Sequence, residues 1–257
     1  MRPTEAPGEH TWPSLGTLES TAQLMDRIND ELGDRLSHRG RDGGHRHAPE
    51  PTLVLVGHGS RDPRTLATVT ALVDAVRALR PGLDVRLGHI EINAPLLPDT
   101  LARLAPGRAV LVPLLLGRGH HVKHDLPAAA AAAPHLDTRV AAPLGPHPLL
   151  VDGLVDRLAE AGLPASARPR RDAGVVLAAA GSRDPDGLAD TRATAAALAD
   201  RLGVPVVAAF ASAAAPSVPA ALRHLAARGR HRAAVASYFT APGRFAAQSS
   251  AAAPGIA

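Results

Sequence analysis

The pentapeptide Gly-Ser-Arg-Asp-Pro occurs twice in this chain, at residues 59–63 and again at residues 181–185. Each copy follows a short apolar run and precedes a segment whose apolar residues recur with helical spacing. Two further landmarks return in the same order, namely Ala94-Pro95 as Ala215-Pro216 and residues 108–119 as residues 232–243. Self-similarity of this kind is the signature of a duplicated structural unit. The sequence therefore predicts a tandem repeat of one α/β unit.

The first repeat begins near residue 51, where runs rich in Val and Leu alternate with longer segments of helical periodicity. The apolar runs predict strands at 52–56, 84–92, 109–115 and 137–142. One helix is expected after Pro127 and another at 147–161. A third is expected between the first two strands, where these residues fall on one face: Leu66, Val69, Val73, Val76 and Leu79. This alternation is typical of a parallel sheet covered on both faces. We expect an α/β fold of two tandem Rossmann-like domains, each a parallel sheet flanked by helices, with a cleft between them.

The predicted domain boundaries follow changes in composition. Residues 1–50 contain Pro, Gly and charged residues throughout, which predicts a disordered or weakly helical N-terminal extension. The catalytic domain is expected at 51–164, a linker at 165–171, and the second repeat at 172–257. Nothing after Ala251 matches the last strand and helix of the first repeat, so either the second repeat is minimal or this end of the chain departs from its relatives.

Composition excludes several classes of function. Cysteine is absent, which rules out disulfides, thiolate metal sites and cysteine nucleophiles. The net charge of +4 is spread along the chain, without the basic stripe that nucleic-acid binding needs. The N-terminus lacks the apolar stretch of a secretory signal, and prolines interrupt the long uncharged run at 202–222. We expect a cytoplasmic protein that binds neither nucleic acid nor a membrane.

The two repeats differ at the positions where chemistry is expected. Each difference pairs a residue of the first repeat with one of the second: His58 with Ala180, Glu91 with Ser212, and His121 with Phe245. Because the turn after the first strand is kept when alanine replaces histidine, folding does not require the imidazole. The second repeat is therefore expected to be degenerate and to lack metal ligands.

The histidines of the first repeat follow strands whose carboxyl ends share one edge of the predicted sheet. His58 lies in a Gly-His-Gly turn, where glycines permit unusual backbone angles, and His121 follows the third strand. Two imidazoles from separate strands can share a divalent cation and leave positions open for a substrate. Glu91, near the end of the second strand, is a candidate third ligand or proton acceptor. His120 and His124 flank His121, and spacing alone leaves open which of the three reaches the site.

The repeated pentapeptide has two interpretations. Ser60 and Arg61 could hold an anion at a helix N-terminus, through backbone N–H groups and the guanidinium. Alternatively, Ser60 and Asp62 cap the helix while Arg61 pairs with a carboxylate, and the presence of the element in both repeats favours capping. A further group of cations would suit an acidic substrate or form an ordinary charged surface: Arg118, His120, Lys123 and His124.

Three segments of the first repeat together carry a family resemblance. They are Val-Gly-His-Gly-Ser-Arg-Asp-Pro from residue 56, His-Ile-Glu from residue 89, and Val-Pro-Leu-Leu-Leu-Gly-Arg-Gly-His-His-Val-Lys-His-Asp-Leu-Pro from residue 112. In this order they resemble the sirohydrochlorin chelatases, closely over 52–162 and more weakly over 174–257. That family includes the cobalt enzyme of anaerobic cobalamin synthesis and the iron enzyme of siroheme synthesis.

The resemblance implies a lyase in which two similar α/β domains enclose a cleft. Such an enzyme inserts a divalent metal into sirohydrochlorin and releases two protons, without a nucleotide or a tightly bound cofactor. His58 and His121 match the paired histidines that bind the metal and assist deprotonation, and Glu91 matches the acidic residue of the family. The carboxylates of this acidic tetrapyrrole would meet the substrate-binding candidates Ser60, Arg61, Arg118, His120 and Lys123.

The metal and the oligomeric state are two further expectations. Fe2+ is preferred and Co2+ is the alternative, because siroheme is the more widely needed product. A monomer with two fused repeats, or a weak dimer, is expected, because a second repeat can replace the partner that a single unit would obtain by dimerising.

Two other functions are compatible with the same residues. Gly-His-Gly after a strand also occurs at phosphohistidine sites, so His58 could be the nucleophile of a phosphoryl-transfer enzyme with Arg and His around the phosphate. A non-enzymatic metal carrier would instead use the histidines of the N-terminal extension, His38, His45 and His47. The same extension has an apolar residue at every fourth position, which suits a short amphipathic helix: Leu24, Ile28, Leu32 and Leu36.

Overall fold

The structure of the protein, a computed structural model, describes residues 50–163 and 171–252. All of these residues belong to one compact unit, Pro49–Ala257. Residues 1–49 of the expected extension, with the amphipathic segment and the histidine cluster, lie outside the described residues. The same is true of residues 165–170 of the expected linker.

Strands and helices alternate along both repeats, as the apolar pattern predicts. The first repeat contains β1 Thr52–Gly57, α1 Pro63–Leu79, β2 Val85–His89, α2 Leu97–Ala102, β3 Gly107–Pro113, a π-helix His121–Asp125, α3 Leu126–Ala131, β4 Leu136–Val140 and α4 Pro148–Glu160. The second contains β5 Ala173–Ala179, α5 Pro185–Leu202, β6 Val206–Phe210, α6 Val218–Ala226, β7 Arg232–Tyr238 and α7 Arg244–Ala251. Helices α1 to α6 each carry a proline in the first turn, where its missing N–H has no intrahelical acceptor to lose.

The strands form two parallel sheets, one in each repeat. The first sheet has the order β2-β1-β3-β4, and the second has the order β6-β5-β7. Val56 of β1 lies beside Gly88 of β2 and Pro113 of β3. The loops that follow these three strands therefore leave from one edge of the sheet and meet there.

Helices cover both faces of the first sheet. Leu55 packs with Val73 of α1 on one face, and Val54 packs with Leu101 of α2 and Leu126 of α3 on the other. Neighbouring residues of β1 point to opposite faces, as the pleat of a strand requires. The predicted α/β fold, with parallel sheets covered by helices, is confirmed.

The second strand is shorter than predicted. β2 ends at His89, whereas the apolar pattern extends to Ile92. Ile92 has a φ of 68°, a left-handed conformation that cannot continue an extended strand. Glu91 consequently lies in the loop after the strand, where its backbone N–H donates to the carbonyl oxygen of His58.

Helix α1 buries a narrower face than predicted. Val69 and Val73 are buried and Val76 is partly buried, but Leu66 and Leu79 are exposed. The two exposed leucines stand in the first and last turns of the helix, so only its middle lies against the sheet.

The last helix of the first repeat packs against the sheet of the second. Val151 and Leu158 of α4 share one core cluster with Val175 and Leu177 of β5. The helix expected at 147–161 is therefore present, but it packs against the sheet of the second repeat. Each fully buried Val or Leu side chain contributes about 1.5–3 kcal/mol, so this contact binds the two repeats into a shared core.

The uncharged run at 202–222 contains the end of α5, all of β6 and the start of α6, as predicted. Among the helices of the described residues, none is long and apolar enough to cross a bilayer.

Candidate functional site

The turn after β1 presents His58, and the equivalent turn after β5 presents Ala180. Gly59 has a φ of +101° and Gly181 a φ of +94°. A Cβ atom at either glycine would overlap a backbone carbonyl oxygen of the next loop, so both positions require glycine. The carbonyls belong to Glu91 in the first repeat and Ser212 in the second. The residue pairs inferred from the sequence thus occupy equivalent places.

Ser60 and Asp62 build the start of α1. The backbone N–H of Asp62 donates to Ser60 Oγ at 3.1 Å, and the Asp62 carboxylate accepts from the N–H two residues further on. Ser182 and Asp184 repeat both contacts at the start of α5. An aspartate in this position satisfies a free N–H of the first turn, so the capping half of the second interpretation of the pentapeptide is confirmed. Its other half is wrong, because Arg61 pairs with no carboxylate among the described residues.

His58, Glu91 and His121 come together at the edge of the first sheet. The ring centroids of His58 and His121 are 4.8 Å apart, and the rings meet edge to face at 87°. His58 Nδ1 lies 3.5 Å from Glu91 Oε1 and 3.2 Å from the carbonyl oxygen of Gly59. All three side chains are partly exposed, so a ligand can reach them. The adjacency of β1, β2 and β3 brings these distant parts of the chain to one place.

Asp125 belongs to the same cluster, and the sequence reasoning missed it. His121 Nδ1 lies 2.5 Å from Asp125 Oδ2, and His120 Nε2 lies 3.7 Å from Asp125 Oδ1. The spacing of four residues between His121 and Asp125 would place both side chains on one side of a helix. The sequence predicts a helix only after Pro127, however, whereas the π-helix already begins at His121.

The two carboxylates of the cluster each contact an imidazole. In residues 50–163 and 171–252, no three His, Asp or Glu side chains are close enough together to hold a metal ion. Glu91 and Asp125 face the Nδ1 atoms of His58 and His121, which leaves Nε2 of each ring as the nitrogen for a metal. The cluster can therefore offer two imidazole donors, with a carboxylate behind each.

A cleft of about 1210 Å³ lies between the two repeats. Its lining includes His58, Glu91 and His121 together with their counterparts Ala180, Ser212 and Phe245. The equivalent positions of the second repeat thus contribute a small, a hydroxyl and an aromatic side chain. Aromatic residues are only 2% of the chain, yet Tyr238, Phe239 and Phe245 all line this cleft. This composition suits a large flat ligand.

Arg118 and Lys123 are directed to the second repeat and do not line the cleft. Arg118 donates to Asp190 from its side chain at 2.7 Å and from its backbone N–H at 2.8 Å. Lys123 Nζ lies 2.8 Å from a carboxylate oxygen of Asp184 and 2.7 Å from one of Asp186. This corrects the expected placement of the two cations, because the N-cap residue of α5 and aspartates of its first two turns already neutralise them. Both residues join the repeats together.

The ion pairs between the repeats shift the pKa values of Asp190, Asp184 and Lys123. Burial raises the pKa of Asp190, which is 2% exposed, but hydrogen bonds from Arg118 outweigh burial and hold it below its ordinary value. A hydrogen bond from Lys123 likewise lowers the pKa of Asp184. Hydrogen bonds to Asp184 and then Asp186 raise the pKa of Lys123. These groups therefore stay charged at neutral pH.

Ser60, Arg61 and His120 do line the cleft. Arg61 forms no ion pair with a carboxylate in the described part of the chain, so its charge is available to a ligand. Arg183, the counterpart of Arg61, and Arg244 line the same cleft. The cleft thus combines imidazoles, an apolar wall and several guanidinium groups, an arrangement that suits an anionic ligand.

A family model described as CbiX matches residues 52–161 and 174–250, which is more than half of the chain. The chain belongs to the CbiX family. The resemblance to the sirohydrochlorin chelatases is thereby confirmed. The first matched stretch of this CbiX-family chain contains His58, Glu91, His121 and Asp125, and the second contains their counterparts.

The CbiX-family chain is similar to relatives named for two metals. The sirohydrochlorin cobaltochelatase of Methanococcus aeolicus is 35% identical over 78 residues, which are 29% of this chain and 54% of the relative. The sirohydrochlorin ferrochelatase of Bacillus subtilis is 26% identical over 141 residues, which are 52% of each protein. The chain spans about half the length of these curated relatives.

A solved structure shares the fold of the CbiX-family chain. SirB from Bacillus subtilis with Fe3+ superimposes with a TM-score of 0.66 at 23% identity, covering 79% of this chain and 82% of SirB.

Proposed function

We propose that this CbiX-family protein is a metal chelatase, a lyase that inserts Fe2+ or Co2+ into sirohydrochlorin for siroheme or cobalamin synthesis. The observation that carries the proposal is the pair of imidazoles, His58 and His121, with centroids 4.8 Å apart in a cleft of about 1210 Å³. Pockets for small ligands are about 300–1,000 Å³, so this cleft has room for a tetrapyrrole. The matched relatives carry iron and cobalt names alike, and the preference for iron stays a prediction.

In this proposal the two repeats have different duties. The first repeat, at 51–164, carries the chemistry through His58, His121 and Glu91. The second repeat, at 172–257, completes the cleft and has no metal ligand at the corresponding positions. The division of the chain into these domains is part of the proposal.

Insertion exchanges two pyrrole hydrogens for one metal ion, so the site must deliver a cation and remove two protons. Nε2 of His58 and of His121 receives the ion and passes it to the nitrogens of the macrocycle. His58 and Glu91, 3.5 Å apart, then accept the pyrrole protons. Both side chains are about half exposed, so these protons can pass on to water. The metal is a substrate here and leaves within the product.

Ser60, Arg61 and His120 would receive the carboxylates of the substrate, because all three line the cleft. Arg118 and Lys123 are left out of this role, since their charges are paired with aspartates of the second repeat. A guanidinium can bind a carboxylate through two parallel hydrogen bonds, which makes Arg61 the principal candidate.

Replacing His58 by alanine tests the proposal. We expect H58A to abolish insertion of both metals while keeping its fold, because Ala180 occupies the equivalent turn in the second repeat. The measurement is an anaerobic absorbance assay with sirohydrochlorin and either Fe2+ or Co2+, with circular dichroism as the check on folding. H224A, at an exposed position on α6, is the matched control and should keep full activity. Wild-type activity in H58A would refute the assignment.

Neither alternative function gains support from the matched relatives, which carry chelatase names. The same assay separates the metal carrier, because a carrier binds the ion without changing the spectrum of sirohydrochlorin. The expected cytoplasmic location, and the expected monomer or weak dimer, stay predictions.

A further inference from the structure

We infer that Asp125 is a positioning residue for His121, holding the imidazole so that Nε2 is presented to the incoming metal. The contact that carries the inference is the 2.5 Å separation of His121 Nδ1 and Asp125 Oδ2. An ionised carboxylate only accepts hydrogen bonds, so Nδ1 carries the hydrogen and Nε2 keeps the lone pair. The inference rests on the proposed function, because it assigns His121 to metal binding.

The helix that joins the two residues supports this role. The N–H of Leu126 donates to the carbonyl oxygen of His121, which is the i to i+5 pattern of a π-helix. This single wide turn brings the side chains of His121 and Asp125 to the same side. Short π-helical turns of this kind are frequent at functional sites.

Asp125 acts on a side chain whose backbone is held by other contacts. Arg118 and Lys123 lie on either side of His121 in the sequence, and aspartates of the second repeat fix both. The carboxylate of Asp125 is 41% exposed, and its contacts are with the imidazoles of His120 and His121. Removing it should therefore change the orientation of the ring and leave the fold in place.

The second repeat lacks the histidine and the aspartate together. Phe245 stands at the position of His121, and Ser249 stands at the position of Asp125, both on α7. Ser249 is buried, and its Oγ has no hydrogen-bond partner among the described residues. The carboxylate is thus present only in the repeat that has an imidazole for it to orient.

The two imidazoles of the site consequently differ in their support. His58 Nδ1 lies 3.2 Å from the carbonyl oxygen of Gly59 and 3.5 Å from Glu91 Oε1, and both contacts are longer than the 2.5 Å between His121 and Asp125. A firmly held ring suits a fixed metal ligand, because second partners of this kind set ring orientation and ligand basicity. A loosely held ring beside an exposed carboxylate suits proton transfer.

Titration of the full-length protein with Co2+ alone, followed by visible absorbance, tests the inference. The absorbance change assigned to this site is the part of the Co2+ titration that the H121A variant lacks. We expect D125A to weaken this binding by about 10–100-fold, the usual effect of losing such a partner. D125N, whose amide oxygen can accept the same hydrogen bond, should recover part of the loss. D152A is the matched control, because Asp152 on α4 is similarly exposed, at 48%, and does not line the cleft.

Insertion kinetics and the double variant separate positioning from a general structural effect. With sirohydrochlorin, D125A should lower kcat while KM for the tetrapyrrole changes less than about twofold, since Arg61, the principal carboxylate contact, is left in place. If H121A leaves residual binding, adding D125A should weaken it no further, because Asp125 acts through His121.

Several results would overturn the inference. They are wild-type Co2+ affinity in D125A with an unchanged melting temperature, an equal loss from D125A with and without His121, or no Co2+ signal that depends on His121. If the proposed function is wrong instead, the wild-type protein binds Co2+ at His121 but does not insert it into sirohydrochlorin.

Discussion

Replacing Leu158 by alanine should destabilise the whole described unit, although the residue belongs to the first repeat and contacts the second. Leu158 is 3% exposed and lies in the core cluster that contains Val175 and Leu177 of β5. Truncating a buried leucine removes its transfer free energy and leaves a cavity, which together cost about 2–5 kcal/mol. Because α4 lies at the outside of the second sheet and can partly relax, we expect about 3 kcal/mol. For a unit of this size, that corresponds to a fall in Tm of about 6–12 °C.

The assay is thermal and urea unfolding followed by far-UV circular dichroism. L149A is the matched control on the same helix, because Leu149 is 71% exposed and its truncation should change stability by less than about 0.5 kcal/mol. Both variants should unfold in a single transition, since α4 joins the first repeat to the core of the second.

The reasoning is refuted if L158A matches L149A in stability. It is also refuted if L158A unfolds in two steps, with half of the structure melting at the wild-type temperature. The second result would mean that the repeats are independent and that α4 does not couple them.

Two further perturbations test the turns and the ion pairs. G59A and G181A should each lower the melting temperature, because a Cβ atom at either position overlaps a carbonyl oxygen at positive φ. Only G59A should also abolish insertion, since it displaces the turn that carries His58, and equal activity losses in the two would contradict this. The pKa of Asp190 in the folded protein lies below its ordinary value of 3.8. Ionised Asp190 therefore contributes fully to the free energy of unfolding above pH 3.8, and this contribution is lost as the pH falls through the folded-state pKa. D190N should therefore be less stable than wild type at neutral pH, and its melting temperature should fall less steeply between about pH 5 and about pH 2. Parallel curves for the two proteins would show that folding does not lower the pKa of Asp190.

Much of the candidate site follows from local patterns. The apolar runs predict β1, β2 and β3, and the carboxyl ends of neighbouring parallel strands must share an edge of the sheet. That rule is enough to bring His58, Glu91 and His121 together, since each follows one of these strands. Comparing the repeats adds the counterparts, because a turn that forms equally well with Ala180 shows that His58 is not needed for folding.

Other features depend on how segments distant in sequence pack together. Arg118 and Lys123 have the charge expected of substrate-binding residues, but their partners on α5 lie more than 60 residues further along the chain. Charge patterns within one segment cannot identify such partners. Asp125 escapes sequence reasoning for a more local reason, because the π-helix that pairs it with His121 starts before the predicted helix.

The sequence by itself determined the repeat, the parallel sheets and the strand ends that carry the imidazoles. These depend on the period of apolar residues and on glycines at two strained turns, which are properties of short segments. Only the tertiary structure decided that α4 covers the second sheet, that aspartates of one repeat neutralise cations of the other, and that a cleft lined by both repeats results. The physical reason is that buried area and ion pairing depend on the docking of complete elements. That docking is set by the whole surface of each repeat.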